Sequence, residues 1–424
     1  MAQSESETVL TEHHETDNLD PRTDAPARPG TPVHIAPVQL GNITVPTPVV
    51  LSPMAGVTNW PFRVICEEYG PDGLYVAEMI TARALVAHNP KALRLCHFAK
   101  SEKIRSLQLY GVNPSITEQA AKIVVDGNMA DHVDLNFGCP VPKVTRRGGG
   151  SALPWKTDIF TELLQRVVAV CEPAGIPVTA KIRVGIDHNH VTFLEAGLAH
   201  HFERILGTPD IAIAEYRNVE VFLELADAGP VGMTAIVFGG GTGMQGYGLA
   251  ALLLRDVSGF EEGLMVMVDA DGVAIGRGCQ GRPWLFANIK NAFEGNPERL
   301  NPNLGEVCRV IHRHAELLTE FYEGDEMMAV HDLRKHIAWY LKGFPVGGST
   351  RKAFMECESL ADVDREIGKL DPTIEYPPRV VDKPRGRVRF AKKVHLPYGW
   401  LESRTTTHEE REALFGDDPM DASY

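Results

Sequence analysis

One strand–helix–strand unit can be read directly from the chain: HVDLN at residues 132–136, then IFTELLQRVVAV at 159–170, then PVTAKIR at 177–183. The two outer runs are short and rich in apolar and β-branched residues, as strands are, whereas the middle run repeats its apolar residues every three or four positions, as an amphipathic helix does. Two strands joined through a helix imply parallel pairing and a right-handed crossover. This unit therefore predicts an α/β fold.

The same alternation continues on both sides of this unit. We predict eight strands, at residues 48–54, 73–79, 104–110, 132–136, 177–183, 210–216, 234–238 and 271–275. Helical patterns lie between them, at residues 61–69, 116–125, 159–170, 191–206, 219–226 and 247–254. Eight such units in about 250 residues predict a closed (β/α)8 TIM barrel, with a doubly wound open sheet as the alternative.

Beyond the last strand the pattern is helical only. The helical runs are residues 304–322, 327–341 and 360–370. We therefore expect four parts along the chain. They are a disordered acidic N-terminal tail over 1–35, the barrel over 36–300, a smaller all-helical domain over 301–375 and an extended C-terminal tail over 376–424 that is first basic and then acidic.

The charge of the chain is concentrated at its ends. With 42 Lys+Arg against 56 Asp+Glu, the formal net charge is −14. Residues 1–28 and residues 402–424 each hold seven acids and two bases, so together they supply −10 of that charge. Residues 379–395 instead carry seven bases against one acid, a run that can bind a polyanion. A solvated extended tail is the alternative interpretation of this run.

Composition excludes several classes of protein. The chain is 44% hydrophobic, enough to form a sizeable core, yet it has neither an apolar run long enough to span a membrane nor a secretory signal at its start. We therefore expect a cytoplasmic protein with no membrane partner. The seven cysteines are scattered without a CxxC pair, which argues against a disulfide framework, a zinc site or an iron–sulfur cluster. We expect no metal, and a monomer.

Two glycine-containing loops follow predicted strands. Residues 53–56 read PMAG, a backbone bare enough for a flat ring system to approach closely. Residues 276–281 read GRGCQG, where backbone N–H groups and Arg277 could hold a phosphate. Ordinary strand-to-helix turns would look the same, so neither loop identifies a ligand by itself.

Two further strand ends carry chemically useful side chains. Cys139 follows the strand at 132–136 in a polar loop with three nearby cations, where a thiol can give or take a proton, whereas the other six cysteines are interpreted as core residues. Lys181 and Arg183 occupy alternate positions of one strand and so point to the same face. Inward charges of this kind need an anionic ligand or a salt-bridge partner, and both remain possible.

Taken together, these motifs resemble the bacterial tRNA-dihydrouridine synthase family, FMN-dependent flavoenzymes that reduce uridine in tRNA. The resemblance is carried, in family order, by SPMAGVTNWPFR at 52–63, DLNFGCPVPKVTRRGGGSAL at 134–153, KIRVG at 181–185 and GRGCQGRPWLF at 276–286. It extends to LQLYG at 107–111, RKH at 334–336 and WYLKG at 339–343. It covers about residues 36–371, less a divergent stretch.

The resemblance implies an oxidoreductase with FMN, NADPH and tRNA as cofactor, reductant and substrate. Hydride would pass from NADPH to FMN and then to C6 of a flipped uracil, while Cys139 protonates C5. Residues expected at FMN are Pro53, Met54, Ala55, Gln108, Lys181, Arg217, Gly239, Gly240, Gly241, Gly276 and Arg277. Residues expected at the uracil and the tRNA are Asn136, Lys143, Arg183, Arg334, Lys335 and His336.

Residues 200–271 depart from the family pattern. The expected His-x-Arg-Thr and Gly-Asn-Gly-Asp strand ends are not intact there. One alignment matches residues 238–247 to the first of these, and the other ends the sixth strand at 214–218 and the seventh at 237–242. We prefer the second because it keeps eight strands. Glu215 would then replace the expected His and repel the FMN phosphate.

Two other functions remain open at this stage. A flavin barrel could instead oxidise or reduce a free pyrimidine, as dihydroorotate dehydrogenase does, although the basic helical region argues against it. The divergent stretch could also have abolished flavin binding, which would leave a tRNA-binding protein.

Overall fold

The computed structural model describes residues 37–183, 185–187, 189–192, 219–224, 233–237, 272–380 and 394–415. The strands are β1 Val38–Leu40, β2 Ile43–Val45, β3 Val49–Leu51, β4 Leu74–Tyr75, β5 Ile80–Thr81, β6 Ser106–Tyr110, β7 His132–Phe137, β8 Val178–Arg183, β9 Gly185–Asp187, β10 His190–Val191, β11 Val219–Glu224, β12 Met233–Val237 and β13 Gly272–Ile275. The helices are α1 Trp60–Tyr69, α2 Ala82–Val86, α3 Pro90–Leu95, α4 Pro114–Asp126, α5 Pro142–Thr145, α6 Thr157–Cys171, α7 Leu285–Phe293, α8 Leu304–Phe321, α9 Glu326–Tyr340, α10 Gly347–Glu356, α11 Leu360–Ile367 and α12 His408–Phe415.

The main sheet closes into a ring. Its strand order is β4-β3-β13-β12-β11-β8-β7-β6-β5. Val76, directly after β4, forms a parallel bridge with Ser106 at the start of β6, and β5 pairs with the other end of β6. β4 and β5 are therefore two parts of one barrel strand, and eight strands form the ring. The prediction of an α/β barrel with a helical region is confirmed, and the doubly wound sheet is excluded.

One part of the ring differs from the prediction. The expected helix at 219–226 is instead β11, which pairs in parallel with β8, because its VEVFLE sequence has the β-branched and aromatic residues that strands favour. β12 then runs antiparallel to both β11 and β13. The link from β11 to β12 spans only the eight residues 225–232, too few for the crossover that a parallel pair needs. The strand predicted at 210–216 lies outside the described residues.

Local sequence explains why the barrel helices form where they do. The Asn59 side chain accepts a hydrogen bond from the Phe62 backbone N–H at the start of α1, and Asn113 caps α4, which begins with Pro114. α6 buries Ile159, Phe160, Leu163, Leu164 and Val167, the spacing of one helix face. These helices cover the outside of the ring and leave the strand ends open for chemistry.

The helical region is packed on the barrel. α8 begins at a capping box formed by Asn303 and Glu306. Its apolar face shares one core with α9, α10 and α11, and with Trp60, Val64 and Ile65 of α1. α10 was not expected from the sequence, because its GGSTRKAFME run has few apolar residues. The helical region is therefore joined to the barrel through α1.

The expected extended tail over 376–424 is wrong for part of its length. Residues 394–415 are folded against the barrel and end in α12. Trp400 is only 3% exposed and packs in a small cluster with Ala152 and Ile186. The charged composition of this stretch predicts an extended tail, but the stretch also contains apolar residues. Burial of Trp400 helps to fix it against the barrel.

Two classes of feature are not found within the described ranges. No helix there is long and apolar enough to cross a membrane. No three His, Cys, Asp or Glu side chains of the described part cluster as metal ligands would.

Candidate active site

Polar side chains of three neighbouring strands meet inside the barrel. Gln108 lies opposite Asp134, Asp134 opposite Thr179, and Asn136 opposite Lys181. Alternate residues of a strand face the same side, so Asp134 and Asn136 point inward together, as Thr179 and Lys181 do. Inward polar residues on adjacent strands form a continuous layer, which we call the polar layer.

Asp134 is the centre of the polar layer, and sequence reasoning missed it. It is 1% exposed and accepts hydrogen bonds from Gln108 Nε2 and Thr179 Oγ1. Burial raises the pKa of Asp134 to about 6, although these hydrogen bonds and the charge of Lys181 oppose the rise. The alternation that singled out Lys181 and Arg183 applies equally to Asp134 and Asn136, so the sequence did contain the signal.

Gln108 is held more tightly than the resemblance implied. Its Oε1 accepts from Asn136 Nδ2 at 2.9 Å while its Nε2 donates to Asp134, and the side chain has no exposed surface. Its first role is therefore to orient Asn136 and Asp134. A contact between Gln108 and a flavin stays a prediction.

Cys139 lies where β7 ends, in a loop whose backbone is held on several sides. Asn136 Oδ1 accepts hydrogen bonds from the backbone N–H groups of Gly138, at 3.2 Å, and of Cys139, at 3.1 Å. Arg183 Nε donates to the Gly138 carbonyl at 3.1 Å, and the Ser151 N–H donates to the Cys139 carbonyl at 3.1 Å. Cys139 is half-buried, whereas the other six cysteines are buried, as the sequence predicted.

Glycine is required beside Cys139. Gly150 adopts a left-handed φ of +55°, and a Cβ atom there would lie 2.3 Å from the Cys139 carbonyl oxygen. No side chain fits at that distance. The last glycine of the GGG run is therefore required where this loop folds back onto Cys139.

The two glycine-containing loops predicted from sequence lie side by side. The Ser52 N–H donates to the Ile275 carbonyl at 2.9 Å, so the ends of β3 and β13 are adjacent. Met54 is half-buried, and its sulfur lies 3.7 Å from Gln280 Nε2. The other predicted residues of these loops are placed as follows: Pro53 half-buried, Ala55 exposed, Gly276 buried and Arg277 half-buried. The bare loop at 53–56 thus has the open surface that a flat ring needs.

Glu78 is a second buried carboxylate that sequence reasoning missed, and it binds the backbone of this loop. Glu78 is 8% exposed and accepts a hydrogen bond from the Gly56 backbone N–H at 2.5 Å. Burial raises the pKa of Glu78, against the lowering effects of that hydrogen bond and of the Lys335 charge. In α9, Asp332 pairs with Lys335 and accepts from Asn59 Nδ2 at 3.1 Å. The helical region is thus connected by polar contacts to the loop expected at the cofactor.

The residues predicted to meet tRNA do not share one environment. Lys143 in α5 is exposed, and the side chain of Lys335 is 34% exposed. Arg334 is half-buried and donates to the Cys357 carbonyl at 3.0 Å. His336 is 0% exposed and packs against Phe62 and the ring of His314, so the predicted contact between His336 and a phosphate is wrong. Its neighbours in sequence are basic, but the helix turns its ring into the core.

Only some of the residues predicted to bind the FMN phosphate are among the described residues. Arg217, Gly239, Gly240 and Gly241 lie outside the described residues, as does Glu215. On the described side, Gly276 and Arg277 remain at the end of β13. Their role at a phosphate stays a prediction.

Comparison with known proteins places this chain in a family. Residues 50–199 and 256–372 match the sequence model described as dihydrouridine synthase (Dus). Residues between these two matched ranges are left out, and they fall within the stretch that departs from the family motifs.

Curated relatives match over most of the chain. A probable tRNA-dihydrouridine synthase of Mycobacterium tuberculosis is 40% identical over 376 residues, which is 86% of this chain and 92% of the relative. The tRNA-dihydrouridine synthase B of Pasteurella multocida is 32% identical over 332 residues, 75% of this chain and 90% of its own length. Among solved structures, histamine dehydrogenase from Rhizobium sp. 4-9 is 11% identical with a TM-score of 0.38 over 80% of this chain and 63% of that one, a similarity too weak to inform function.

Proposed function

We propose that this chain reduces the C5–C6 double bond of uridine in tRNA, because it belongs to the dihydrouridine synthase family of flavin-dependent oxidoreductases. FMN would be the flavin, NADPH the reductant and Cys139 the proton donor. The observation that supports this most directly is the placement of Cys139, which is half-buried just after β7. Asn136 and Ser151 hold its backbone, and Arg183 holds the carbonyl of the preceding Gly138.

The described residues fit a bound flavin. The loop at 53–56 presents Met54 and Ala55 beside an exposed Gly56, and a Cβ atom on Gly56 would meet nothing within 4 Å. Lys181, 8% exposed, supplies a positive charge from inside the ring. When bound, the flavin would supply hydride to the uracil and be reduced again by NADPH.

The remaining chemistry belongs to the chain itself. Asn136 is fixed by Gln108 and by its own loop, so it holds the Cys139 backbone without first losing side-chain freedom. Its Nδ2 also lies 3.6 Å from the Met79 sulfur, and a uracil would replace this weak contact. The Cys139 thiol, next to that amide, would deliver the proton to C5. Lys143, exposed on α5, is placed to contact the nucleotide from outside.

A tRNA substrate requires more surface than the barrel interior. A base inside a folded RNA must be flipped out to reach the strand ends, and backbone contacts must offset that cost. Lys335 on α9 is partly exposed and pairs with Asp332, and Lys143 on α5 is exposed. These two cations would contact the tRNA backbone. Contacts of this type make binding sensitive to salt.

The test is a sequence of additions to the purified protein under anaerobic conditions. We expect the protein to retain a flavin spectrum after FMN is added and unbound FMN is removed by gel filtration. The spectrum should bleach on addition of NADPH and recover when unmodified tRNA is added, with dihydrouridine detected in the tRNA by mass spectrometry. Free uracil and dihydroorotate serve as controls for the alternative chemistry. A protein that binds tRNA but takes up no FMN would overturn the proposal in favour of a tRNA-binding role.

A further inference from the structure

The folded segment 394–415, here called the C-terminal strap, lies directly against the loop that carries Cys139. Trp400 Nε1 donates to the Ala152 carbonyl at 3.0 Å. A Cβ atom on Gly148 would come within 2.4 Å of the Trp400 ring, so the ring occupies the space that this glycine leaves. Trp400 therefore contacts this loop at two points, Gly148 and Ala152, before the chain enters α6.

The contact reaches Cys139 through two residues. Ser151, next to Ala152, donates its N–H to the Cys139 carbonyl at 3.1 Å. Gly150, next to Ser151, approaches the same carbonyl. The short segment that Trp400 holds is thus the segment that holds the backbone of Cys139.

The C-terminal strap has its own anchors on α6, away from the loop. Arg411 pairs with Asp158 at 3.1 Å and with Glu162 at 2.7 Å. The Thr157 N–H donates to the Arg404 carbonyl at 2.8 Å. Lys156 is fully buried, and its Nζ donates to the Thr405 carbonyl at 3.2 Å. Several independent contacts hold the strap, so it can act as a rigid support.

We propose that Trp400 is a positioning residue, and that the C-terminal strap holds the Cys139 loop in the geometry required for proton transfer. The inference rests on the proposed function, because it assumes that Cys139 is the proton donor. Three successive glycines at 148–150 give this loop little rigidity of its own. A support from outside the barrel would supply that rigidity, and a displacement of about 1 Å at a reacting group can cost about a hundredfold in rate.

The experiment compares Trp400→Ala and Trp400→Phe with the parent chain in separate half-reactions. We expect Trp400→Ala to slow reoxidation of the reduced flavin by tRNA by about tenfold to a hundredfold while leaving flavin reduction by NADPH within about twofold. Trp400→Phe keeps most of the ring but loses the hydrogen bond to Ala152, so its rate should lie between the two. A purely structural role would not divide the half-reactions in this way.

A second measurement does not depend on activity. Cys139 is the half-buried cysteine while the other six are buried, so brief treatment with iodoacetamide followed by peptide mass spectrometry reports on its loop. We expect Trp400→Ala to accelerate alkylation of Cys139 several-fold, because the loop can then move away from its support. Tyr398→Ala is the matched control, since Tyr398 lies in the same strap but is fully exposed, and it should leave alkylation unchanged.

If Trp400→Ala does not fold, Arg411→Gln tests the same proposal. It loosens the strap at α6 and leaves the Trp400 ring beside Gly148. It should change alkylation and reoxidation in the same direction by a smaller factor. The proposal is overturned if folded variants show parental alkylation of Cys139 and parental reoxidation by tRNA. If the parent chain itself forms no dihydrouridine, the proposed function fails instead, and the alkylation rates still show whether the strap supports the loop.

Discussion

At the scale of single residues, the site depends on side chains that orient one another before any ligand arrives. Asn136 Nδ2 donates to Gln108 Oε1, and Asn136 Oδ1 accepts from the backbone N–H groups of the Cys139 loop. Gln108 Nε2 in turn donates to Asp134. A network in which each member has partners leaves few alternative rotamers. The chemical groups of the polar layer are therefore positioned by their neighbours rather than by the substrate.

The role of Cys139 gives the first prediction. Cys139→Ala removes the proton donor but touches none of the main-chain contacts that hold its loop, so FMN binding and its reduction by NADPH should stay at the parental level. Reoxidation by tRNA should fall by about a hundredfold or more, the usual contribution of a positioned acid. Stopped-flow absorbance of the two half-reactions measures both. Cys96→Ala, at a buried position at the end of α3, is the control, and dihydrouridine formed at the parental rate by Cys139→Ala would refute the assignment.

Lys181 gives the second prediction. Lys181→Ala removes a positive charge from inside the barrel, so affinity for FMN should fall by about tenfold or more, the effect of losing one charged contact. Both half-reactions should also slow, in contrast to Cys139→Ala. Titration of the protein with FMN, followed by flavin fluorescence, gives the affinity. Lys122→Ala on the surface of α4 should bind FMN as the parent does.

At the scale of elements, α1 is fixed to the barrel by a buried ion pair. Arg63 Nε lies 2.6 Å from Glu102 Oε1, and their side chains are 1% and 2% exposed. Arg63 also donates to the Thr58 carbonyl at 2.9 Å, directly behind the loop at 53–56. The Arg in the WPFR motif is thus structural: it joins the cofactor loop, α1 and the segment before β6.

Breaking this pair is the third prediction. Glu102→Gln leaves the buried guanidinium without its counter-charge, so the free energy of unfolding should fall by about 3–5 kcal/mol. Denaturant unfolding followed by circular dichroism measures the change. Glu118→Gln removes the partner of Lys122 and Arg166 at the surface and should cost less than about 1 kcal/mol. Equal losses from the two substitutions would contradict the assignment of Arg63 and Glu102 as a buried structural pair.

At the scale of the whole molecule, three buried histidines connect stability to pH. Burial lowers the pKa of His132 to about 3, and burial together with the Lys335 charge lowers that of His314 to about 3. Burial likewise holds the pKa of His336 well below its usual value of 6.5, with smaller effects from His314 and Lys335. His314 and His336 pack edge to face at the contact between α8, α9 and Phe62 of α1. Protonation would therefore act where the helical region joins the barrel.

The fourth prediction is a loss of stability in acid. A histidine with a lowered folded-state pKa stabilises the fold above pH 6.5, and that contribution is lost as the pH falls toward 3. Asp134 acts in the opposite sense, because its raised pKa favours the fold as the pH falls from about 6 to 3.8. The raised pKa of Glu78 acts as that of Asp134 does, so three histidines are opposed by two carboxylates. The free energy of unfolding should therefore fall as the pH decreases from about 6 to 4.

Denaturant titrations at a series of pH values test this slope. His314→Gln removes one of the three groups, so the slope should decrease by about 1.4 kcal/mol per pH unit. His408→Gln changes a histidine whose side chain is 86% exposed and is the matched control. A slope that is the same in the parent and in His314→Gln would show that His314 is not neutral and buried in the folded protein.

The barrel could be predicted from sequence because strand and helix periods are local properties. Runs such as 132–136 and 177–183 are set by residues one or two positions apart, and the motif around Cys139 is contiguous in the chain. The helix predicted at 219–226 was wrong although a local strand signal was present there, in the β-branched and aromatic residues of VEVFLE. Family membership likewise followed from contiguous motifs.

The sequence by itself therefore determined the strands up to residue 183, the helical region after the barrel and the placement of Cys139, Lys181 and Arg183 at strand ends. Only the tertiary structure decided which polar side chains are covered. It buried His336 against Phe62 and placed Trp400 against Gly148. Burial depends on what packs against a residue from distant parts of the chain, and no local pattern contains that information.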